Sequence, residues 1–130
     1  MKRPETKTVL IIEDEADIRN FASRVLELEG YRILQAADGD EGLVLARENR
    51  IALILLDLRL PGHDGWVVLE ELRSNPAFSG IPVIVFTASA EVRQRDRALS
   101  MGAADYLVKP LSAASLRESV SRILHTGGRN

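Results

Sequence analysis

The stretch Ile51-Ala52-Leu53-Ile54-Leu55-Leu56-Asp57 constrains this chain more than any other. Its first six residues include five large aliphatics, and the run ends abruptly in a carboxylate. A short apolar run without polar alternation, closed by turn residues, reads as a strand buried on both faces. Such strands belong to parallel sheets covered by helices. Pro61, Gly62, Asp64 and Gly65 then form a loop, with Asp64 placed to cap the next helix. Asp57 therefore stands at the carboxyl end of a central strand, where open α/β sheets bind their ligands. The plainer reading is a polar residue that only ends a strand.

The rest of the chain repeats this theme. Thr8–Ile12 is an apolar run ending in Glu13-Asp14-Glu15. Ile18, Phe21, Ala22, Val25 and Leu26 follow at helical spacing, and Gly30 stops that helix. Tyr31–Ala36 is a second strand, interrupted by Arg32 and Gln35 and so placed at an edge. Asp38 and Glu41 form a capping box for a helix to about Asn49. After the central run, a helix from Asp64 carries Val67, Val68, Leu69 and Leu72 and ends at Asn75-Pro76. Ile81–Phe86 is a fourth strand, with Pro82 near its start and Thr87-Ala88-Ser89 after it. A helix from about Ala90 to Met101 stops at Gly102. Ala104–Val108 is a fifth strand ending in Lys109-Pro110, and Ser112 caps a last helix. The tail from Gly127 to Asn130 is expected to fray.

Five βα repeats predict an α/β fold with a doubly wound, five-stranded parallel sheet, flavodoxin-like in topology. The first, third and fourth runs are the most apolar and belong in the middle, which predicts the order 2-1-3-4-5. The 130 residues make one domain, with a core from about 8 to 125. A net charge of −2 argues against a nucleic-acid surface. No apolar run approaches the ~20 residues of a membrane span. The polar start, Met1 to Thr8, lacks the apolar segment of a signal peptide. The chain has no cysteine, which excludes thiol chemistry. Together these absences predict a cytoplasmic protein.

In that sheet order, Glu13 and Asp14, Asp57, Thr87 and Lys109 project from one edge into one cleft. Two carboxylates ~4 Å apart repel by roughly 4 kcal/mol at an effective dielectric near 20. Either one is protonated or a cation is bound. Oxygen donors without His or Cys favour a hard ion, and a few carboxylates plus waters suit Mg²⁺. Lys109 and Thr87 suit phosphoryl oxygens, and an aspartate is a known phosphoryl acceptor. Taken singly, Glu13 and Asp14 read as helix-capping charges, Thr87 as an N-cap and Lys109 as a surface lysine. Their joint placement at successive strand ends points to an aspartate that takes a phosphoryl group.

At these positions the chain resembles the receiver domain of two-component response regulators. The matching residues are Glu13-Asp14, Asp57 within Leu-Leu-Asp-Leu-Arg-Leu-Pro-Gly-His-Asp-Gly, Thr87-Ala88, and Asp105-Tyr106-Leu107-Val108-Lys109-Pro110. The resemblance runs from about Thr8 to Leu124. It implies a phosphorylation-activated switch in which Asp57 takes a phosphoryl group from a sensor histidine kinase or a phosphotransfer protein. Mg²⁺ would be held by Asp14, Asp57 and the backbone carbonyl of Arg59, with Glu13 acting through water. Thr87 and Lys109 would bind phosphoryl oxygens, and small Ala88 would leave room for the group. Tyr106 would be the switch aromatic coupled to Thr87, turning inward on activation, and the Lys109-Pro110 bond would be cis. The chain would catalyse only its own phosphoryl transfer and slow dephosphorylation. It would be a monomer or weak dimer, touching neither nucleic acid nor membrane.

Its downstream partner would dock on the fourth helix, fifth strand and fifth helix. The fourth helix is poor in large apolar residues, and Arg93, Arg95 and Arg97 on it suit an acidic partner; the alternative is a solvated face. His63 reads as a loop side chain, Trp66 as helix packing, and the Arg59 side chain as a cation at the site's mouth. Two other functions compete with this one. A haloacid-dehalogenase-like phosphatase needs a second Asp two residues after the nucleophile, where this chain has Arg59. A flavodoxin-like cofactor binder needs a phosphate loop after the first strand, where Glu13, Asp14 and Glu15 would repel it.

Overall fold

A computed structural model describes residues 6–60 and 63–126. The elements in order are β1 (Thr8–Ile12), α1 (Ala16–Leu28), β2 (Arg32–Ala36), α2 (Gly39–Glu48), β3 (Leu53–Asp57), β4 (Arg59–Leu60), β5 (His63–Asp64), α3 (Gly65–Ser74), β6 (Val83–Thr87), α4 (Val92–Ser100), β7 (Asp105–Val108) and α5 (Ala113–Thr126). Five strands form one parallel sheet in the order β2-β1-β3-β6-β7. Counting only its members, this is the 2-1-3-4-5 order that the apolar content of the runs predicts. Every residue of β3 and of β6 is buried, while β2 and β7 at the edges are partly exposed.

The period of two along each strand divides the core. Leu10, Ile12, Ile54, Leu56, Val83 and Val85 point to one face and pack with Leu69 and Leu72 of α3 and with Phe78. Val9, Ile11, Leu53, Leu55, Ile84 and Phe86 point to the other and pack with Leu26 of α1 and Leu116 and Val120 of α5. Each fully buried Leu, Ile or Phe contributes about 1.5–3 kcal/mol relative to an exposed one.

Several strand and helix ends shift by one or two residues from the sequence reading, and three differences have a local cause. The fourth sheet strand starts at Val83, because the Ile81 amide is spent on a turn bond to the Phe78 carbonyl and Pro82 has no N–H. The fourth helix starts at Val92, two residues later than predicted, behind Glu91, whose side chain makes no capping bond. The expected loop after Asp57 contains a two-residue antiparallel ladder, Arg59–Leu60 against His63–Asp64. Pro61, Gly62 and the tail from Gly127 lie outside the described residues.

The predicted caps are present with one variation. The Asp38 carboxylate accepts from the Glu41 amide, but Glu41 answers to the Ala37 amide, one residue before the cap. The Asp64 side chain accepts from Trp66 N–H, and Ser112 Oγ from Ser115 N–H. Gly30, at φ +96°, ends α1 in a conformation that costs a residue with a Cβ strain. No described helix is long and apolar enough to cross a membrane.

Candidate functional site

The carboxyl ends of β1, β3, β6 and β7 bring the predicted residues to one edge of the sheet. Asp57 is the last residue of β3 and only 1% exposed. A buried carboxylate needs partners for its lone pairs. Its Oδ1 accepts from the Arg59 backbone N–H at 3.0 Å, and its Oδ2 accepts from Lys109 Nζ at 3.0 Å. Lys109 follows β7, and its own backbone N–H donates to the Thr87 carbonyl at 2.8 Å, tying the ends of β6 and β7 together. Thr87 is buried at the end of β6. The Lys109-Pro110 bond is cis, as the resemblance implies.

Glu13 is fully buried, whereas Asp14 is exposed. The Glu13 amide extends the sheet ladder by donating to the Ala36 carbonyl at 3.0 Å. Its Oε2 accepts from the Glu15 amide at 2.9 Å, and its Oε1 lies 2.9 Å from Lys109 Nζ. That ion pair is not aligned as a hydrogen bond, so Oε1 has no hydrogen-bond partner among the described residues. Carboxylate oxygens of Glu13, Asp14 and Asp57 all lie within 4.8 Å of one another.

Burial pushes the Glu13 carboxyl up to about 7. Lys109 and the Glu15 amide oppose that rise, and the charge of Asp57 adds to it. Burial alone would lower Lys109, yet its contacts with Glu13 and Asp57 hold it above the ordinary lysine value. One ammonium thus faces three carboxylates. That residual negative charge and an all-oxygen donor set fit a hard divalent cation such as Mg²⁺. Arg59 is exposed in β4, two residues beyond Asp57. Ala88 is small and exposed, which leaves the space beside Thr87 open.

Other predicted residues fall nearby with different surroundings. Tyr106 is buried in β7, and its hydroxyl donates to the Ser89 carbonyl at 2.8 Å. The sequence reading had this ring turning inward on activation; here it already lies inward. Trp66 is half-buried on α3, and the Arg97 guanidinium stacks over its ring at 4.0 Å. Arg93, Arg95 and Arg97 are all exposed, and Arg97 is in addition engaged by the Trp66 ring. His63 belongs to β5, and its side chain lies outside the described part of the structure. Motif spacing does not single out Arg19, which contacts the loop carrying Glu13 and Asp14, and Gln35 reads in sequence only as the mark of an edge strand. An arginine one turn into the helix after an acidic loop is too common a pattern to have flagged it.

The family profile described as response regulator receiver domain matches residues 9–121. The probable transcriptional regulator ycf27 of Porphyridium aerugineum is 38% identical over 120 residues, covering 92% of this chain and 49% of the relative. The transcriptional regulatory protein HprR of Escherichia coli (strain K12) is 44% identical over 108 residues, covering 83% of this chain and 47% of the relative. The chain spans about half the length of these curated relatives. A CheY-like response regulator receiver domain protein from Methanospirillum hungatei JF-1 has a crystal structure that superposes with a TM-score of 0.86 at 30% identity, covering 94% of this chain and 96% of that one.

Proposed function

This chain belongs to the response regulator receiver domain family, and from that premise we propose that it is a phosphorylation-activated switch whose acceptor is Asp57. The donor is a phosphohistidine of a sensor histidine kinase or phosphotransfer protein. The observation that carries the proposal is the contact of Asp57 Oδ2 with Lys109 Nζ at 3.0 Å, inside a cluster of three carboxylates.

A carboxylate oxygen of Asp57 attacks phosphorus, and the bond from phosphorus to the donor's imidazole nitrogen breaks, with the electron pair leaving on nitrogen. Arg59 N–H holds the carboxylate in place during attack. Lys109 transfers its contact from the carboxylate to a phosphoryl oxygen, and the Thr87 hydroxyl donates to another. Asp14, Asp57 and the Arg59 carbonyl would hold Mg²⁺, with Glu13 acting through water, and the ion when bound would supply positive charge against the transferred oxygens. The chain turns over no other substrate. Its change of state passes through Thr87 and Tyr106 to the face of α4, β7 and α5, where a downstream protein docks. The net charge of −2 argues against this domain itself contacting nucleic acid.

Incubation with acetyl phosphate and Mg²⁺, followed by intact mass measurement, tests the proposal. One phosphoryl group should appear on the wild-type chain and none on Asp57→Asn. Undiminished incorporation in Asp57→Asn would defeat the assignment.

A further inference from the structure

Arg19 leaves α1 and grips the acidic loop after β1 from behind. Its Nη1 donates to the Glu13 carbonyl at 2.8 Å and makes a longer contact, 3.4 Å, with the Asp14 carbonyl. Its Nε donates to Gln35 Oε1 at 3.0 Å. Gln35 Nε2 donates to the Ser23 hydroxyl at 2.7 Å, and that hydroxyl donates to the carbonyl of Arg19 itself at 2.8 Å. The network closes on itself through α1 and the edge strand β2. Ser23 is buried and Arg19 half-buried, so the ring of contacts has a fixed inner side.

The loop it holds is under electrostatic load. Carboxylate oxygens of Glu13, Asp14 and Asp57 lie within 4.8 Å of one another, and mutual repulsion would spread them. Glu13 cannot easily move, because its amide is in the sheet ladder and its side chain is buried. Asp14 is exposed and has no such anchor. Arg19 contacts this loop through its carbonyls. That leaves the carboxylate oxygens uncovered and adds a positive charge behind them. A guanidinium presents Nη1 and Nε in a rigid fork, so one side chain can serve the loop and Gln35 together; an ammonium cannot reproduce that geometry.

We infer that Arg19 is a positioning residue for Mg²⁺: by holding the Glu13 and Asp14 carbonyls it sets the Asp14 carboxylate beside Asp57 before the cation arrives. The inference rests on the cluster being the cation site of the proposed function. It assigns Arg19 no contact with the ion or the phosphoryl group.

The test titrates Mg²⁺ into the full chain by calorimetry, for wild type, Arg19→Ala, Arg19→Lys and Gln35→Ala, with melts in chelator to verify folding. Groups that orient metal ligands typically weaken affinity about 10-fold or more when removed. Arg19→Ala should therefore bind Mg²⁺ about 10-fold more weakly. Arg19→Lys should not restore wild-type affinity. Gln35→Ala alters an exposed side chain and should weaken binding in the same direction by less, which keeps the test open where Arg19→Ala fails to fold. Acetyl phosphate labelling should slow at limiting Mg²⁺ and recover at saturating Mg²⁺. Wild-type affinity in Arg19→Ala, or full restoration by lysine, would overturn the inference. A wild-type chain that takes no phosphoryl group would overturn the reading of Asp57 instead, leaving the affinity comparison intact.

Discussion

The hydroxyl of buried Tyr106 donates to the Ser89 carbonyl at 2.8 Å, joining edge strand β7 to the loop that leads into α4. This single bond connects the strand beside the site to the weakly anchored helix. Tyr106→Phe removes it and leaves a part-buried carbonyl unpaired, a loss of about 1–2 kcal/mol. Urea denaturation should show that loss, and amide shifts should change from Ser89 into α4. In the wild-type chain, beryllofluoride, a mimic of aspartyl phosphate, should perturb amides in α4 and β7. Shifts confined to the loops around Asp57 would contradict the switch.

Arg97 anchors α4 through the Trp66 ring at 4.0 Å. Ala98 is the buried residue of that helix, and Val92 is 70% exposed, so little else holds it. Arg97→Ala should cost about 0.5–1 kcal/mol. Trp66 is the only tryptophan, so its emission reports the contact directly. A shifted emission in Arg97→Ala, and none in Arg93→Ala or Arg95→Ala, is the expected pattern.

Glu13 makes the chain pH-sensitive when Mg²⁺ is chelated. Its carboxyl rises from 4.5 to about 7 on folding, mainly through burial. Between those values the unfolded chain releases the proton and the folded chain retains it. Stability therefore falls as pH rises through that window. Glu13→Gln does not titrate, and its stability should vary less from pH 4.5 to 7 than that of the wild type. Parallel profiles for the two proteins would show that Glu13 is not the group responsible.

Gly65 has no room for a side chain. A Cβ there would lie 2.4 Å from the Leu58 Cα and carbonyl oxygen, next to Asp57 in the chain. Backbone would have to move, and the Gly65 amide would lose its 3.0 Å bond to the Leu58 carbonyl. Gly65→Ala should destabilise by about 2 kcal/mol or more and slow labelling of Asp57. Gly80→Ala, where a Cβ meets nothing within 4 Å, should be neutral or slightly stabilising.

The sheet was legible in the sequence because its signals are local. The Leu53–Leu56 run, short and closed by turn residues, reads as a strand buried on both faces, and polar Arg32 and Gln35 mark an edge. The site was legible because parallel topology places every strand's carboxyl end on one side. The different burial of Glu13 and Asp14 was not legible. Two adjacent acids look alike in sequence, and only the bond from the Glu13 amide to Ala36 shows that the first continues the ladder inward. The ladder at Arg59–Leu60, the inward Tyr106 and the stack of Arg97 on Trp66 each depend on residues distant in sequence or on loop geometry, which periodicity does not encode.

The central claim is that Asp57 itself carries the phosphoryl group. Borohydride reduces an aspartyl phosphate to homoserine, which marks the acceptor permanently. Tandem mass spectrometry of the chain after acetyl phosphate, Mg²⁺ and borohydride should place homoserine at position 57. Homoserine at position 14, or an aspartate at 57 that survives in a phosphorylated chain, would contradict the account.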